Sequence, residues 1–375
     1  MRKLVLSAAL TTAFGAPGVL WAQQAAAPQT PAVAAPTLDK VLEASGVAVT
    51  GYIDAAYTHA DRDIETGFST RVLDSQNNSF ALHQVGLQVA KQPKEGFGGL
   101  VNITMGKDAG VIHSFPANEA TFDLTQGFFQ YASGAWTVIG GKFTTLHGTE
   151  VIWSPSNANF SRSILFGAVP FTHTGVRATY AVSDTFSVIA GVNNGWDQLT
   201  DINKGKTIEL GLTANPVKPL TLAASYYGGQ EFSGFTGTNG RRDSFNFVGS
   251  YTIIEPVSVG IEYLHVTQKD AVLDATGTAA DGSYDGFAGY VSWTFLPKWK
   301  GTWRAEQFND KDGFHFGTRD TKYNELTMTI AYMPADNFEL RGEVRGDRAD
   351  KAVFVDGTGV SKSLNTFAIQ ALFKF

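Results

Sequence analysis

Charged side chains recur at every second position in several segments of this sequence. The clearest series alternates with apolar or small residues and consists of Glu339, Arg341, Glu343 and Arg345. A period of two places all four charges on one face of an extended strand and the apolar residues on the other. Carboxylates and guanidinium groups on a wet face sort dissolved ions and dipolar solutes. The chemistry that they predict is therefore the selection of solutes.

Other charged side chains lie on strand candidates with the same facing, or on the loops between them. In a membrane-spanning strand, Arg or Lys on the lipid face would cost about 2–4 kcal/mol at mid-membrane, so these side chains are expected to face water. The predicted pore-lining and constriction residues are the four above with Asp54, Lys142, Glu150, Arg162, His173, Arg177, Glu209, Glu262 and Arg304. An alternative interpretation is that these charges pair only with one another and keep the interior wet.

A catalytic or metal-binding function has little support in the sequence. The histidine with most carboxylates nearby is His59, which lies close to Asp54, Asp61 and Asp63 at one predicted strand end. Neither a Gly-x-Ser-x-Gly elbow nor a His-Glu-x-x-His motif occurs, and there is no cysteine. Acidic loop residues of this kind are more often solvated. We therefore predict no enzymatic activity, no cofactor and no metal site.

The composition limits the classes of protein that this chain can belong to. A formal net charge of −6 gives no sign of a nucleic-acid surface. Beyond the first 22 residues, no stretch approaches the ~18 to 20 unbroken apolar residues of a membrane helix. If the chain spans a membrane, it must therefore do so with closed β-structure, which satisfies every backbone group in lipid.

Strand candidates that could position the charged residues extend from residue 47 to the last residue. Most have at least the ~9 to 11 residues of a tilted membrane strand. Short connections, such as residues 92–95 and 215–218, alternate with longer polar ones. This alternation is typical of an outer-membrane barrel with an even strand number and both ends in the periplasm. The candidates are near 47–59, 79–91, 96–108, 121–133, 134–146, 170–183, 185–194, 205–214, 218–231, 243–254, 257–269, 283–295, 298–309, 320–332, 336–347 and 363–375.

The beginning of the sequence fits export from the cytoplasm. Arg2 and Lys3 precede an apolar run that ends near the small residue Ala22, which predicts a signal peptide over residues 1–22. A single membrane anchor is the alternative, although Gly and Pro within the run make it a poor permanent helix. Residues 23–46 are predicted to be an Ala/Pro-rich periplasmic leader followed by a short helix.

The final strand candidate alternates almost without interruption and ends on Phe373 and Phe375. A soluble sandwich could also supply such a strand. Together with a signal peptide, however, a closing strand with a terminal aromatic residue favours an outer-membrane barrel, and we predict that these rings guide membrane assembly. The fold prediction is an all-β, transmembrane antiparallel β-barrel of about 16 strands over residues 47–375.

The longest connection, residues 147–169, joins the fifth and sixth strand candidates. Its apolar side chains are too numerous for a solvated outer loop, and burial inside the barrel would explain them. We therefore expect this loop to fold inward and narrow the channel. The apolar residues are Trp153, Phe160, Ile164, Leu165 and Phe166.

Four segments together resemble the OmpL-like β-barrel porin family of proteobacteria. The resemblance covers the chain from about Thr37 to Phe375 and implies a porin-like barrel without naming a solute. For residues 147–169 it implies an inward-folded segment. The segments that carry it are Asn159–Gly167, Pro170–Arg177, Gly46–Asp54 and Gly191–Asp197.

These observations predict a porin in the bacterial outer membrane that allows passive diffusion of small hydrophilic solutes and ions. The alternative is a structural or adhesin-like barrel with an occluded lumen. The expected partners are outer-membrane lipid, lipopolysaccharide, the outer-membrane assembly machinery and small hydrophilic solutes. A homotrimer and a monomer are both open, and no nucleic-acid partner is expected.

Overall fold

The computed structural model describes residues 38–65, 67–115 and 121–375. The chain divides into two units, Met1–Val41 and Leu42–Phe375. The predicted signal peptide, and the leader as far as residue 37, lie outside the described residues. Helix α1 (Leu38–Ser45) precedes the first strand. No helix in the described ranges is both long and apolar enough to cross a bilayer.

Sixteen strands in the described part of the chain close into one antiparallel barrel, as predicted. They follow one another in sequence order, and the last strand pairs with the first to close the edge. A separate two-stranded hairpin, β16–β17, precedes the last barrel strand. The strands are β1 (Ala48–Ala60), β2 (Ser79–Lys91), β3 (Gly96–Met105), β4 (Phe122–Ser133), β5 (Trp136–Thr144), β6 (Thr172–Ser183), β7 (Phe186–Asn193), β8 (Thr207–Val217), β9 (Leu220–Phe232), β10 (Asn239–Ile254), β11 (Val257–Leu273), β12 (Ala279–Leu296), β13 (Trp299–Asp310), β14 (Thr321–Ala335), β15 (Phe338–Ala349), β16 (Phe354–Asp356), β17 (Gly359–Ser361) and β18 (Ser363–Lys374).

Alternation along each strand separates a polar interior from an apolar exterior. On β15, Arg341 and Arg345 are 3% and 2% exposed, whereas Leu340 and Val344 are 39% and 52% exposed. The exposed apolar side chains form the surface that faces lipid. The charged side chains face inward, because a charge placed in hydrocarbon would be destabilising. Aromatic pairs such as Trp136 and Tyr180, with ring centroids 4.6 Å apart, lie near the short turns. This is the rim where amphipathic rings meet lipid headgroups.

Strands β10, β11 and β12 are longer than the sequence pattern predicted. They contain 16, 17 and 18 residues. At ~3.3 Å per residue, the longest spans about 60 Å, well beyond the ~25 Å apolar band of an outer-membrane barrel even when tilted. The additional residues are mostly polar and small, so their alternation gives no apolar signal. They form a paired wall outside the membrane, as Val272 opposite Ala280 illustrates.

Loops enter the barrel from one rim, which lies opposite the rim where the first strand begins and the last strand ends. In this class of barrel, the rim that the loops enter is extracellular. We call residues 61–78, which join β1 to β2, the L1 segment, and residues 145–171, which join β5 to β6, the L3 segment. Ile64 and Phe68 of the L1 segment share one buried apolar cluster with Ile164 and Leu165 of the L3 segment. The extracellular half of the interior therefore contains a packed core.

Candidate functional site

The L3 segment crosses the barrel interior and touches the wall on several sides. The N–H of Gly148 donates to Asn246 on β10 at 3.0 Å. Farther along, the N–H of Ser154 lies 3.4 Å from the Tyr52 hydroxyl on β1. The hydroxyl of Tyr284 on β12 then donates to the carbonyl of Ala168 at 2.8 Å. Hydrogen bonds to strands this far apart around the barrel place the L3 segment within the lumen.

Three glutamates on the wall hold the backbone of the L3 segment. Glu262 on β11 accepts from the N–H of Thr149 at 2.8 Å. Glu306 on β13 accepts from two consecutive N–H groups, those of Ile164 at 2.7 Å and Leu165 at 2.6 Å. Glu343 on β15 accepts from another consecutive pair, those of Phe160 at 2.7 Å and Ser161 at 2.9 Å. We call Glu262, Glu306 and Glu343 the carboxylate anchors, because charge-assisted bonds of this kind fix both position and orientation.

Arg304 on β13 links the L3 segment to the wall through its guanidinium group. It is fully buried and donates to Glu150 at 2.6 Å and to the carbonyl of Ser161 at 2.7 Å. Its Nε donates to Glu325 on β14 at 2.9 Å. Two carboxylates and a carbonyl therefore compensate one buried positive charge. Losing one partner of a buried pair of this type costs about 3–5 kcal/mol, since the remaining charge has no compensation.

Arg162 lies inside the L3 segment and its guanidinium group is turned toward the segment's own backbone. It donates to the carbonyls of Phe160 at 2.8 Å and Val151 at 3.2 Å, and the residue is 2% exposed. Its own carbonyl accepts from Arg345 of β15 at 2.5 Å. Arg341, on the same strand, lies 3.4 Å from the carbonyl of Asn159. These arginines therefore hold the folded shape of the segment.

Apolar contacts press the other side of the L3 segment against β11–β14. Leu165 packs so closely on Gly286 of β12 that an added Cβ would stand 2.5 Å from the Leu165 Cδ2. Phe166 joins a second buried cluster with Ile152, Leu73 of the L1 segment and Ile112 of helix α2 (Ala109–Ile112). Because the loops pack on one another, the position of the L3 segment also depends on its neighbours.

The L1 segment has a polar anchor that the sequence pattern does not reveal. Arg71 donates to Asp347 on β15 and to Asp74, each at 2.7 Å, and to the hydroxyl of Thr366 at 2.9 Å. In sequence it is a single arginine in a loop of mixed composition, and its partner Asp347 lies far along the chain. Periodicity within one strand gives no signal for such a pair.

The remaining predicted lining residues bond mainly to the wall and to the extracellular loops. Asp54 accepts from Gln370, and Lys142 donates to Asp123. His173 lies 3.0 Å from the carbonyl of Gly195. The other pairs are Arg177 with Glu209, where one bond measures 3.0 Å, and Glu339 with Arg341 at 2.8 Å.

The carboxylates near His59 in sequence do not assemble with it into one site. Asp54 points into the barrel, whereas His59 belongs to the outward face of β1. Asp61 accepts from the backbone and the side chain of Asn365. Within residues 38–65, 67–115 and 121–375, no group of three or more side chains has a geometry suited to a metal ion.

Asp197, in the loop after β7, anchors the end of the L3 segment. One of its carboxylate oxygens accepts from the N–H groups of Phe171 at 2.8 Å and Thr172 at 2.9 Å. Burial raises the pKa of Asp197 to about 7, and the two backbone hydrogen bonds oppose part of that rise. The carboxyl group therefore changes charge near neutral pH at the point where the L3 segment meets β6.

A cavity of about 590 Å³ remains between the L3 segment and strands β1–β5. A second one, of about 340 Å³, lies on the other side of the segment against β10–β13. Glu150 and Ser156 border both. The space that remains in the lumen is therefore divided by the L3 segment.

Comparison with known proteins agrees with this architecture. A family model described as "Putative beta-barrel porin-2, OmpL-like" matches residues 46–375. The chain belongs to this family. As an OmpL-like porin, it is a protein of the bacterial outer membrane. A search of curated proteins found no match.

Solved structures similar to this OmpL-like porin are also outer-membrane barrels. The channel DcaP of Acinetobacter baumannii has a TM-score of 0.62 and 13% identity, covering 88% of this chain and 97% of DcaP. OprB of Pseudomonas putida has a TM-score of 0.61 and 12% identity over 90% and 96% of the two chains. The anion-selective porin from Comamonas acidovorans has a TM-score of 0.58 and 12% identity over 88% and 99%. At these identities the likeness is one of fold.

Proposed function

We propose that this OmpL-like porin allows passive diffusion of small hydrophilic solutes and ions, and that the L3 segment is the constriction of its channel. The observation that carries the proposal is the anchored course of the L3 segment through the lumen. Glu262, Glu306 and Glu343 hold its backbone by charge-assisted hydrogen bonds, with donor–acceptor distances of 2.6 to 2.9 Å. A segment fixed in this way narrows the lumen and leaves a defined space beside it.

Within this proposal, the predicted lining residues fall into two groups. Glu150, Arg162, Glu262, Arg304, Arg341, Glu343 and Arg345 set the position of the L3 segment. Asp54, Lys142, His173, Arg177, Glu209 and Glu339 form the polar wall around it. Since most of these charges are paired, the wall contributes hydration and shape to the channel and has no strong preference between cations and anions.

The structural or adhesin-like barrel with an occluded lumen is the second candidate. The observation that favours it is the apolar cluster that the L1 and L3 segments share with β11–β14 in the extracellular half. That cluster excludes water from one side of the lumen. Under this alternative the cavity beside β1–β5 would not connect the two rims.

Single-channel recording in planar bilayers separates these functions. The porin is expected to conduct ions, and deletion of residues 151–165 is expected to raise its conductance while the barrel stays folded, because β5 and β6 are kept intact. Heat-modifiable gel mobility checks the fold of both proteins. A barrel that never conducts, even without residues 151–165, would favour the occluded alternative.

Substitution of Arg162 tests the same proposal in a second way. Charge reversal by Arg162→Glu is expected to shift the preference of the channel toward cations, because a fixed positive charge at a constriction disfavours them. Since the guanidinium group also bonds to the carbonyls of Phe160 and Val151, the variant should loosen the L3 segment and raise conductance. An unchanged reversal potential together with an unchanged conductance would contradict a place for Arg162 at the constriction.

We also propose how this porin assembles and with which partners. One similar structure, OmpT of Vibrio cholerae, is described as a trimer form and has a TM-score of 0.59 with 14% identity, covering 88% of this chain and 99% of OmpT. We extend the same assembly to this chain as a homotrimer in outer-membrane lipid with lipopolysaccharide. The signal peptide over residues 1–22 and the rings of Phe373 and Phe375 would direct it to the outer-membrane assembly machinery.

A further inference from the structure

The two halves of the lumen wall differ in what they present to the L3 segment. Strands β11–β15 carry inward carboxylates and guanidinium groups, and the L3 segment covers them through Glu262, Arg304, Glu306 and Glu343. Strands β1–β5 face the segment across the cavity of about 590 Å³. The charges of β11–β15 therefore hold the segment. Strands β1–β5, whose inward Asp54 and Lys142 are bonded to Gln370 and Asp123, border the remaining space.

The wall strands that border this cavity contribute uncharged polar groups. Gln126 accepts weakly from Thr144, at 3.3 Å, and leaves its amide nitrogen without a protein acceptor among the described residues. Gln88 makes no side-chain hydrogen bond within that same part of the chain. Amides offer donors and acceptors together, which suits neighbouring hydroxyl groups of a solute. The lining from β1–β5 comprises Thr50, Gly51, Gln88, Asn102, Thr125, Gln126 and Thr144.

The L3 segment presents an apolar face to the same cavity. Val151 is 41% exposed there, and the partly exposed ring of Trp153 packs edge-on against Tyr52, with centroids 4.5 Å apart. Pro155 and Phe171 border the same space. Apolar groups that stay partly exposed to water inside a lumen are unfavourable unless a solute covers them. This face of the L3 segment therefore suits the apolar surface of a solute.

Charged or titratable groups near the cavity, apart from one at the periplasmic rim, already have partners. Glu150 accepts from Arg304 and from the N–H of Ser163, each at 2.6 Å. His147 contacts the hydroxyls of Ser225 at 2.7 Å and Ser244 at 3.0 Å through its two ring nitrogens. Lys374 also borders the cavity, at the end of β18 on the periplasmic rim, and its ammonium group makes no hydrogen bond or ion pair within the described part of the chain. Beyond that rim, a charged solute in the cavity would therefore lose hydration without gaining an opposite charge.

We propose that this cavity is a selective path for small uncharged solutes that carry both hydroxyl groups and an apolar face, as pyranose sugars do. Its amide and hydroxyl side would bond the hydroxyls, and the Trp153 side would cover the C–H face of the ring. The proposal rests on the proposed diffusion function and names the class of solute for the same path.

Uptake into proteoliposomes tests it with three solutes of one ring size: D-glucose, D-glucuronate and D-glucosamine. D-glucose is expected to enter about tenfold faster than either charged sugar, since each charge would have to give up its hydration at the constriction. Gln88→Glu should slow D-glucose and D-glucuronate and speed D-glucosamine. The matched control is Gln307→Glu at the exposed outer end of β13, which should keep the wild-type order.

The outcomes distinguish this inference from the function on which it rests. Ion conductance together with entry of D-glucuronate or D-glucosamine at least as fast as D-glucose would overturn the inference and keep the porin. No conductance and no uptake of any of the three sugars would overturn the proposed function itself. Trp153→Ala provides a further check, because it should lower the rate of D-glucose entry relative to the rates of the two charged sugars.

Discussion

At the scale of single residues, one contact recurs throughout the interior. An inward carboxylate on a strand, or in a loop, accepts hydrogen bonds from consecutive backbone N–H groups of an inserted segment. Glu306 and Glu343 do so for the L3 segment, Asp197 for its last residue, and Asp310 for His315 and Phe316 at the outer end of β13. An ionised carboxylate suits this task because it is an acceptor only.

Glu343→Gln tests the anchoring role without changing the size of the side chain. The amide keeps one acceptor but turns a donor toward a backbone N–H, so at least one bond to Phe160 or Ser161 is lost. Hydrogen bonds to charged groups contribute about 1.5–3 kcal/mol each, and the L3 segment should loosen accordingly. Limited proteolysis of the folded barrel is expected to cut within residues 151–165 faster than in the wild type. The exposed turn variant Glu255→Gln is the control, and equal cleavage rates in all three proteins would contradict the anchoring role.

The pH dependence of stability should reveal Asp197. Its pKa is raised by burial to about 7, so the neutral form contributes stability that is fully present below about pH 3.8 and is lost as pH rises through about 7. Asp197→Asn imitates the neutral form and should be more heat-stable than the wild type at pH 8, with a smaller difference at pH 5. The midpoint of heat modification on gels measures this, with Asp184→Asn in an exposed turn as control. A difference that is the same at both pH values would contradict the assignment.

At the scale of elements, alternation within the chain was enough to predict the barrel. The facing of β13 and β15 follows from local periodicity, and the connection lengths predicted which rim is which. The family resemblance is confirmed by the match over residues 46–375. The L1 segment and its Arg71–Asp347 pair were missed because their contacts join residues far apart in sequence. The hairpin β16–β17 was missed because three-residue strands carry too little pattern.

The terminal ring of the closing strand is expected to support assembly of the barrel. Residue 375 exchanges backbone hydrogen bonds with Gly51 at 2.8 and 2.9 Å, and its ring is 59% exposed. Deleting Phe375 should lower the amount of barrel in the outer membrane and leave more protein for periplasmic proteases, because the last strand then pairs less well with β1. Immunoblots of membrane fractions measure this. Phe80→Ala, at a lipid-facing position away from the closing strand, should remain at wild-type levels, and equal levels of all three proteins would show that the terminal ring is incidental.

At the scale of the whole molecule, the barrel interior is asymmetric. One side is filled by the L1 and L3 segments on charged anchors and an apolar cluster. The other side keeps a cavity to which β1–β5 contribute uncharged polar side chains. The charges that a sequence pattern predicts as pore lining are in large part the means by which the constriction is built. Which charges face solute and which face the inserted loop depends on the course of the loop, and strand periodicity contains no information about it.

The absence of native cysteine permits a direct test of the central claim, that the L3 segment bounds the path of ions and solutes. Ser156 is exposed and borders the cavities on both sides of the segment. Single-channel recording of Ser156→Cys should show a stepwise fall in conductance when a thiol-specific methanethiosulfonate reagent is added, whereas Thr276→Cys in an exposed outer turn should show none. Complete labelling of Ser156→Cys, verified by mass spectrometry, with unchanged conductance would contradict the account.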